Sequence, residues 1–223
     1  MLAKYGIPAI FFVPATNPER DVIGKKDIAS LSKNFEIGSH TYSHVYLDKL
    51  SITDAEKEIL NGKKYIEDIT SVEARHFCYP GGKYNKQIQN IALTYCESVR
   101  TADIMNVDIN CSNIRPTIHL AYRSKRSLFK QILLFAPLEL KTKLLCKTLS
   151  GYKIQELFEI YLECLAQKKD GNFMIHLWGH SWEIDALDLW EEAEDVFKTL
   201  SSSGYLRSYS DMVSDVSFVK PVV

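Results

Sequence analysis

The chain has 223 residues, 46% of them hydrophobic and 25% charged, with a formal net charge of -1. That length and composition suit one sizeable core. The balanced charge argues against nucleic acid or an anionic membrane as partner, and no apolar run approaches the roughly 20 residues that span a bilayer.

In chain order, Ile7 to Val13 reads as a buried strand and Asp27 to Ser32 as a short helix. Phe35 to Gly38 is a short strand that delivers His40. Thr53-Asp54-Ala55-Glu56 has the form of a capping box. It should open an amphipathic helix with Ile59, Tyr65, Ile66 and Ile69 on its inner face. Phe77 to Tyr79 is the next strand, closed by Pro80-Gly81-Gly82. Lys86 to Thr94 reads as helix and Ser98 to Thr101 as strand. From about Ser124 to Lys168 the leucines recur at helical spacing, so two or three helices are expected there. Phe173 to Leu177 should be a strand and Asp185 to Leu200 one amphipathic helix, with Leu187, Leu189, Trp190, Ala193 and Phe197 inward. A strand near Leu206 and a helix from Ser210 should follow. Alternating strands and helices predict an α/β fold with a parallel sheet, open or closed into a barrel. One domain, 1–223, is expected, with 124–168 as a helical elaboration. Sites in such folds lie at the carboxyl ends of the strands.

Three stretches carry chemistry. His40-Thr41-Tyr42-Ser43-His44 sets two imidazoles four residues apart, a spacing that puts both on one face of a helical turn. Taken alone, the pair reads more readily as two surface histidines. If it binds a zinc-like ion, at least one further ligand is required. Tyr79-Pro80-Gly81-Gly82-Lys83-Tyr84-Asn85 follows a strand, and its glycines would let backbone N–H groups approach a ligand or an oxyanion. His176-Leu177-Trp178-Gly179-His180-Ser181-Trp182 places two histidines and two tryptophans at an expected strand end. Histidine suits proton transfer near neutral pH. Trp178 and Trp182 could stack on sugar rings or exclude water, or could merely pack together. The acidic run from Asp185 to Asp195 reads as the solvated face of a helix.

The five cysteines include no C-x-x-C pair, so buried, reduced thiols are expected and a cysteine zinc site is not. The N-terminus does not read as a signal peptide. Both features point to the cytoplasm, although a start upstream of Met1 would reopen the cell envelope.

Together these residues resemble the polysaccharide deacetylase family of carbohydrate esterases. Tyr5 to Val13 resembles its second strand, and Ile37 to His44 its metal-binding histidine motif. Tyr79 to Asn85 resembles its third motif, and Met174-Ile175-His176 its late histidine motif. The resemblance implies a distorted (β/α) barrel of fewer than eight strands. It implies hydrolysis of N-acetyl or O-acetyl groups on a carbohydrate, with a divalent metal, usually zinc, held by one Asp and two His. Carried over, His40 and His44 would be metal ligands and His176 the general acid, with His180 the second choice. Gly81 would face the oxyanion; Tyr84, Trp178 and Trp182 would contact an acetylated sugar or polysaccharide.

Two departures qualify this picture. The family's Thr-Phe-Asp-Asp-Gly motif supplies the base and the ligating Asp, and it normally precedes the segment matching Tyr5 to Val13. The chain is therefore expected to be N-terminally truncated, lacking the first strand and the catalytic Asp, with Asp103 and Asp108 the available carboxylates. The third motif carries an arginine two residues before its proline, where this chain has Cys78, and strand register should point Arg75 elsewhere. A non-catalytic glycan-binding remnant is the alternative to a working deacetylase.

Overall fold

The computed structural model describes the chain except residues 108–111, 123, 168–173 and 218–223. The strands, in chain order, are β1 (Ile10–Val13), β2 (Glu36–Ser39), β3 (His76–Cys78), β4 (Ser98–Arg100), β5 (Asn113–Ile114), β6 (Ile118–His119) and β7 (Leu177–Trp178). The helices are α1 (Lys25–Leu31), α2 (Ile52–Thr70), α3 (Lys86–Tyr95), α4 (Lys125–Phe135), α5 (Leu138–Ser150), α6 (Ile154–Gln167), α7 (Ser181–Ala186), α8 (Trp190–Ser203) and α9 (Tyr209–Ser217). None is long and apolar enough to cross a membrane among the described residues.

The described residues group into two compact units. Those of Pro8–Ala102, Asn110–Ile114 and Arg207–Val223 form the sheet unit. Among them β1 to β5 make a five-stranded parallel sheet in sequential order, the order that successive right-handed β-α-β connections generate. Register is tight at its start: Phe12 pairs with Gly38. A Cβ at Gly38 would lie 2.5 Å from the Phe12 ring, so only glycine fits. One core cluster joins Phe77, Tyr79 and Val99 of the strand region to Ala55 and Ile59 of α2 and Ile88 and Ala92 of α3. A second gathers Val13, Ile28, Ile66 and Ala74. The helix α9 is tied on through Ser210, whose Oγ lies 3.0 Å from His76 Nε2 and accepts from Arg75 Nη2 at 2.8 Å.

The described residues of Met1–Ile7, Asp103–Ile109 and Arg115–Leu206 form the helical unit. The short strands β6 and β7 pair in parallel, His119 opposite Trp178. The helices α4, α5, α6 and α8 bury Leu128, Ile132, Leu140, Leu144, Phe158, Val196 and Phe197 in one core. Where two or three helices were expected between 124 and 168, the described residues form three, α4 to α6.

Several boundaries differ from the sequence expectation. The cap of α2 is Ser51, two residues before the expected Thr53; its hydroxyl accepts from Asp54 N at 3.2 Å and donates to Asp54 Oδ2 at 2.7 Å. Ser and Asp three apart satisfy the same orphan donor wherever the pair falls. The expected strand over 173–177 begins outside the described residues, and its described part is Leu177–Trp178. The helix expected over 185–200 is broken between α7 and α8. Asp188 sits in the left-handed region at φ 52°, which is costly inside a helix. The break turns Leu187 and Trp190 outward, 42% and 37% exposed, while Ala193, Val196 and Phe197 stay buried. No strand forms at Leu206 among the described residues. Cys78 and Cys96 are buried free thiols as expected, but Cys146 is exposed on α5 and Cys164 is part-buried. Cys111 and Asp108 lie outside the described residues.

Candidate functional site

In the sheet unit, parallel pairing of β2, β3 and β4 brings the loops that follow them to one edge. The loop after β2 carries His40 to His44. It is not a helical turn: Thr41 and His44 both have positive φ, 66° and 56°. The two rings nevertheless meet edge to face, with centroids 5.0 Å apart. The left-handed residues fold the pentapeptide back on itself and do the work expected of a helix. Four hydrogen bonds to side-chain oxygens hold the loop. Thr41 Oγ1 accepts from His44 N at 3.0 Å. Glu58, on α2, accepts from Ser43 N at 2.9 Å and from Ser43 Oγ at 2.7 Å, and from Tyr42 N at 3.1 Å. A Cβ at Gly62 of α2 would lie 2.5 Å from the Thr41 carbonyl carbon, so the helix approaches the loop only because that residue is glycine.

His40 donates from Nδ1 to the Cys78 carbonyl at 2.7 Å, a carbonyl being an acceptor only. That bond leaves Nε2 as the ring's lone-pair nitrogen, the form in which histidine ligates metals. Burial, with a smaller push from the Arg100 guanidinium, carries the His40 pKa down to about 4, against the opposing bond to Cys78. A neutral, oriented imidazole beside a second imidazole fits a borderline metal ion. Among the described residues no carboxylate joins His40 and His44 in a group of three metal-ligating side chains.

Arg100 is the residue that sequence reasoning missed here. It ends β4 in register with Cys78 and is 7% exposed. Its Nη1 lies 3.3 Å from Cys78 Sγ. The cation absent from position 78 is thus present beside it, from the next strand. Arg75 points away, as register implied, with Nη1 3.4 Å from Glu97.

The turn after β3 has Gly81 and Gly82 both left-handed, φ 58° and 66°. Gly82 N donates back to Tyr79 O at 2.9 Å. A side chain at Gly81 would strike Tyr46, and one at Gly82 would strike Ala102. Gly81 is exposed. Tyr84 stacks on Tyr79, ring centroids 4.7 Å apart, and its hydroxyl accepts from Asn113 Nδ2 at 3.3 Å.

The late histidine motif lies in the helical unit. His176 precedes β7 rather than ending a strand. Its backbone N donates to Thr117 Oγ1 at 3.0 Å and its carbonyl accepts from Thr117 N at 2.8 Å. His180 caps the start of α7. Its Nδ1 is 2.7 Å from Glu183 Oε2, and the same oxygen lies 3.1 Å from His119 Nε2. Trp178 packs on His119 with centroids 4.2 Å apart, and Trp182 lies 5.5 Å from His180. The tryptophans therefore face histidines rather than each other. His119 and Glu183 gave no sequence signal: one stands some sixty residues upstream, and the other follows the histidine-tryptophan stretch as a single carboxylate with nothing to mark it. Asp103 is exposed on the loop after β4.

Residues 1–95 match the family model described as polysaccharide deacetylase. The peptidoglycan-N-acetylglucosamine deacetylase of Bacillus cereus is 33% identical over 88 residues, 40% of this chain and 40% of that protein's length. The structure of a mutant of the Bacillus subtilis peptidoglycan deacetylase PdaC is similar at TM-score 0.56 and 19% identity, over 97% of this chain and 82% of that one. A CE4 domain of a multidomain xylanase, from the hindgut metagenome of Trinervitermes trinervoides, gives TM-score 0.55 at 14% identity, over 100% and 83%. A CE4 family pseudoenzyme from Bacillus anthracis gives 0.50 at 15%, over 95% and 57%. At those identities the structural likeness is one of fold, an α/β architecture with a parallel sheet as expected.

Proposed function

We propose that this chain, whose residues 1–95 match the polysaccharide deacetylase family, acts in hydrolysis of acetyl groups from a carbohydrate, with a divalent metal held by His40 and His44. The observation that carries this reading is the paired imidazoles, 5.0 Å apart, with His40 locked through Nδ1 onto the Cys78 carbonyl. A bound zinc-like ion would supply carbonyl polarisation and a water acidified enough to attack near neutral pH. The chain's own residues do the rest. The Cys78 carbonyl fixes the tautomer and aim of His40. Glu58 and Gly62 hold the loop that carries His44. Arg100 contributes a buried positive charge that favours anionic groups nearby. Gly81, left-handed and exposed, is the backbone assigned by its motif to the oxyanion.

A second reading is glycan binding without turnover. It is favoured by the absence, among the described residues, of a carboxylate grouped with His40 and His44; a direct ligand and a base are worth orders of magnitude each. One experiment separates the two: acetate release from acetylated chitooligosaccharides and from peptidoglycan, with and without added zinc. Zinc-dependent release that disappears in His44→Ala supports hydrolysis. Retention on the glycan with no release supports the second reading.

A further inference from the structure

A second constellation in the helical unit is independent of the deacetylase reading. His119 ends β6, His180 stands two residues past β7, and Glu183 lies in the first turn of α7. Pairing of β6 with β7 brings the two strand ends together, and the three-residue step from His180 to Glu183 turns the carboxylate back over them. Glu183 is 7% exposed. A carboxylate taken that far out of water requires a cationic or donating environment.

The protons decide what that environment is. His119 Nδ1 lies 2.6 Å from the Ala121 carbonyl oxygen, which can only accept, so Nδ1 carries the hydrogen. In the neutral ring, Nε2 then presents a lone pair, and it faces Glu183 Oε2 at 3.1 Å. His180 Nδ1 approaches the same oxygen at 2.7 Å. An imidazole lone pair aimed at an anionic oxygen is repulsive unless a cation stands between them. The three ligand atoms all lie within 4.8 Å of one another, close enough to share one ion. Bonds of about 2.0–2.2 Å set tetrahedral donors about 3.4 Å apart. Small outward shifts of the donors accommodate that, and His180, 45% exposed, has room to make the larger one.

We infer that His119, His180 and Glu183 form a divalent-metal site, separate from the His40–His44 pair, for an ion of zinc-like softness. Two imidazoles and one carboxylate, with a position left for water, match the donor set of open zinc sites rather than closed structural ones. The Ala121 carbonyl fixes the His119 tautomer, as outer partners of metal-bound histidines do. Trp178 covers His119, and Trp182 flanks His180. The bound ion would cross-link β6 to the start of α7.

The test uses the full chain carrying His40→Ala and His44→Ala, so that the other pair is silent. Zinc stoichiometry is read by competition with a chromophoric chelator, and cobalt(II) is read by its visible absorption and by quenching of tryptophan emission. The expected result is one equivalent of either ion, with quenching. Affinity should fall at least about tenfold in Glu183→Gln and in His180→Ala. His180 is exposed, so its variant reads the site even if the buried Glu183 variant fails to fold. No binding in the double variant would overturn the inference. So would binding that His180→Ala leaves unchanged, because the cluster would then be a proton-bridged ion pair.

Discussion

The loop of His40 and His44 and the cluster of His119, His180 and Glu183 make imidazole pairs by opposite routes. The first pair is contiguous in sequence and is brought together by two left-handed residues within one loop. The second spans β6 to α7, and its geometry comes from strand pairing and helix entry. A local motif depends on the elements that brace its loop: Glu58 and Gly62 of α2, and the Cys78 carbonyl of β3. A dispersed cluster depends on register, since moving either strand by one residue would reverse which face its side chains occupy. The first should therefore break through loop variants and the second through variants of the strands.

The largest effect expected in the first pair is from His40→Ala. It removes the oriented ligand, so zinc affinity of the pair and any zinc-dependent acetate release should fall by more than about 100-fold, beyond what loss of an outer partner costs. The second cluster should keep its metal, measured by the same chelator competition. Gly62→Val comes next. Its Cβ would meet the Thr41 backbone, and overpacking of this kind costs about 1–3 kcal/mol. Denaturant unfolding should show the loss, with zinc affinity of the His40–His44 pair falling alongside. Glu58→Ala removes three acceptor contacts to Tyr42 and Ser43; these are partly solvated, so about 1–2 kcal/mol is expected. An unchanged affinity in that variant would show that Gly62 and the Cys78 carbonyl brace the loop without Glu58.

The smallest effect is a pH dependence. Burial lowers the His76 pKa, opposed chiefly by the Glu36 carboxylate. The folded state then resists protonation that the unfolded chain accepts at about 6.5. Its contribution is complete above that pH and falls as pH drops below it. His76→Gln should flatten the slope of stability against pH on the acid side, read by urea unfolding at a series of pH values.

How much could be read in advance follows the same division. Strands β1 to β4 and helices α1 to α3 were legible within a few residues, because apolar runs and caps are local. The pair His40–His44 was legible for that reason, though the expected helical turn was wrong: positive φ at a threonine and a histidine has no clear sequence mark. The helix break at Asp188 was hidden likewise. Arg100 was invisible as the guanidinium beside Cys78, because strand register, not spacing, makes them neighbours.

Sequence alone determined the order of elements from β1 to β4, the near-neutral net charge, and the motif carrying two imidazoles after a strand. Those properties reside in residue types a few positions apart. Tertiary structure alone decided that His119 and His180 converge on one buried oxygen of Glu183, and that Arg100 stands where no arginine is written. Such contacts exist only after the chain has closed long loops and set strand register, and neither leaves a local trace.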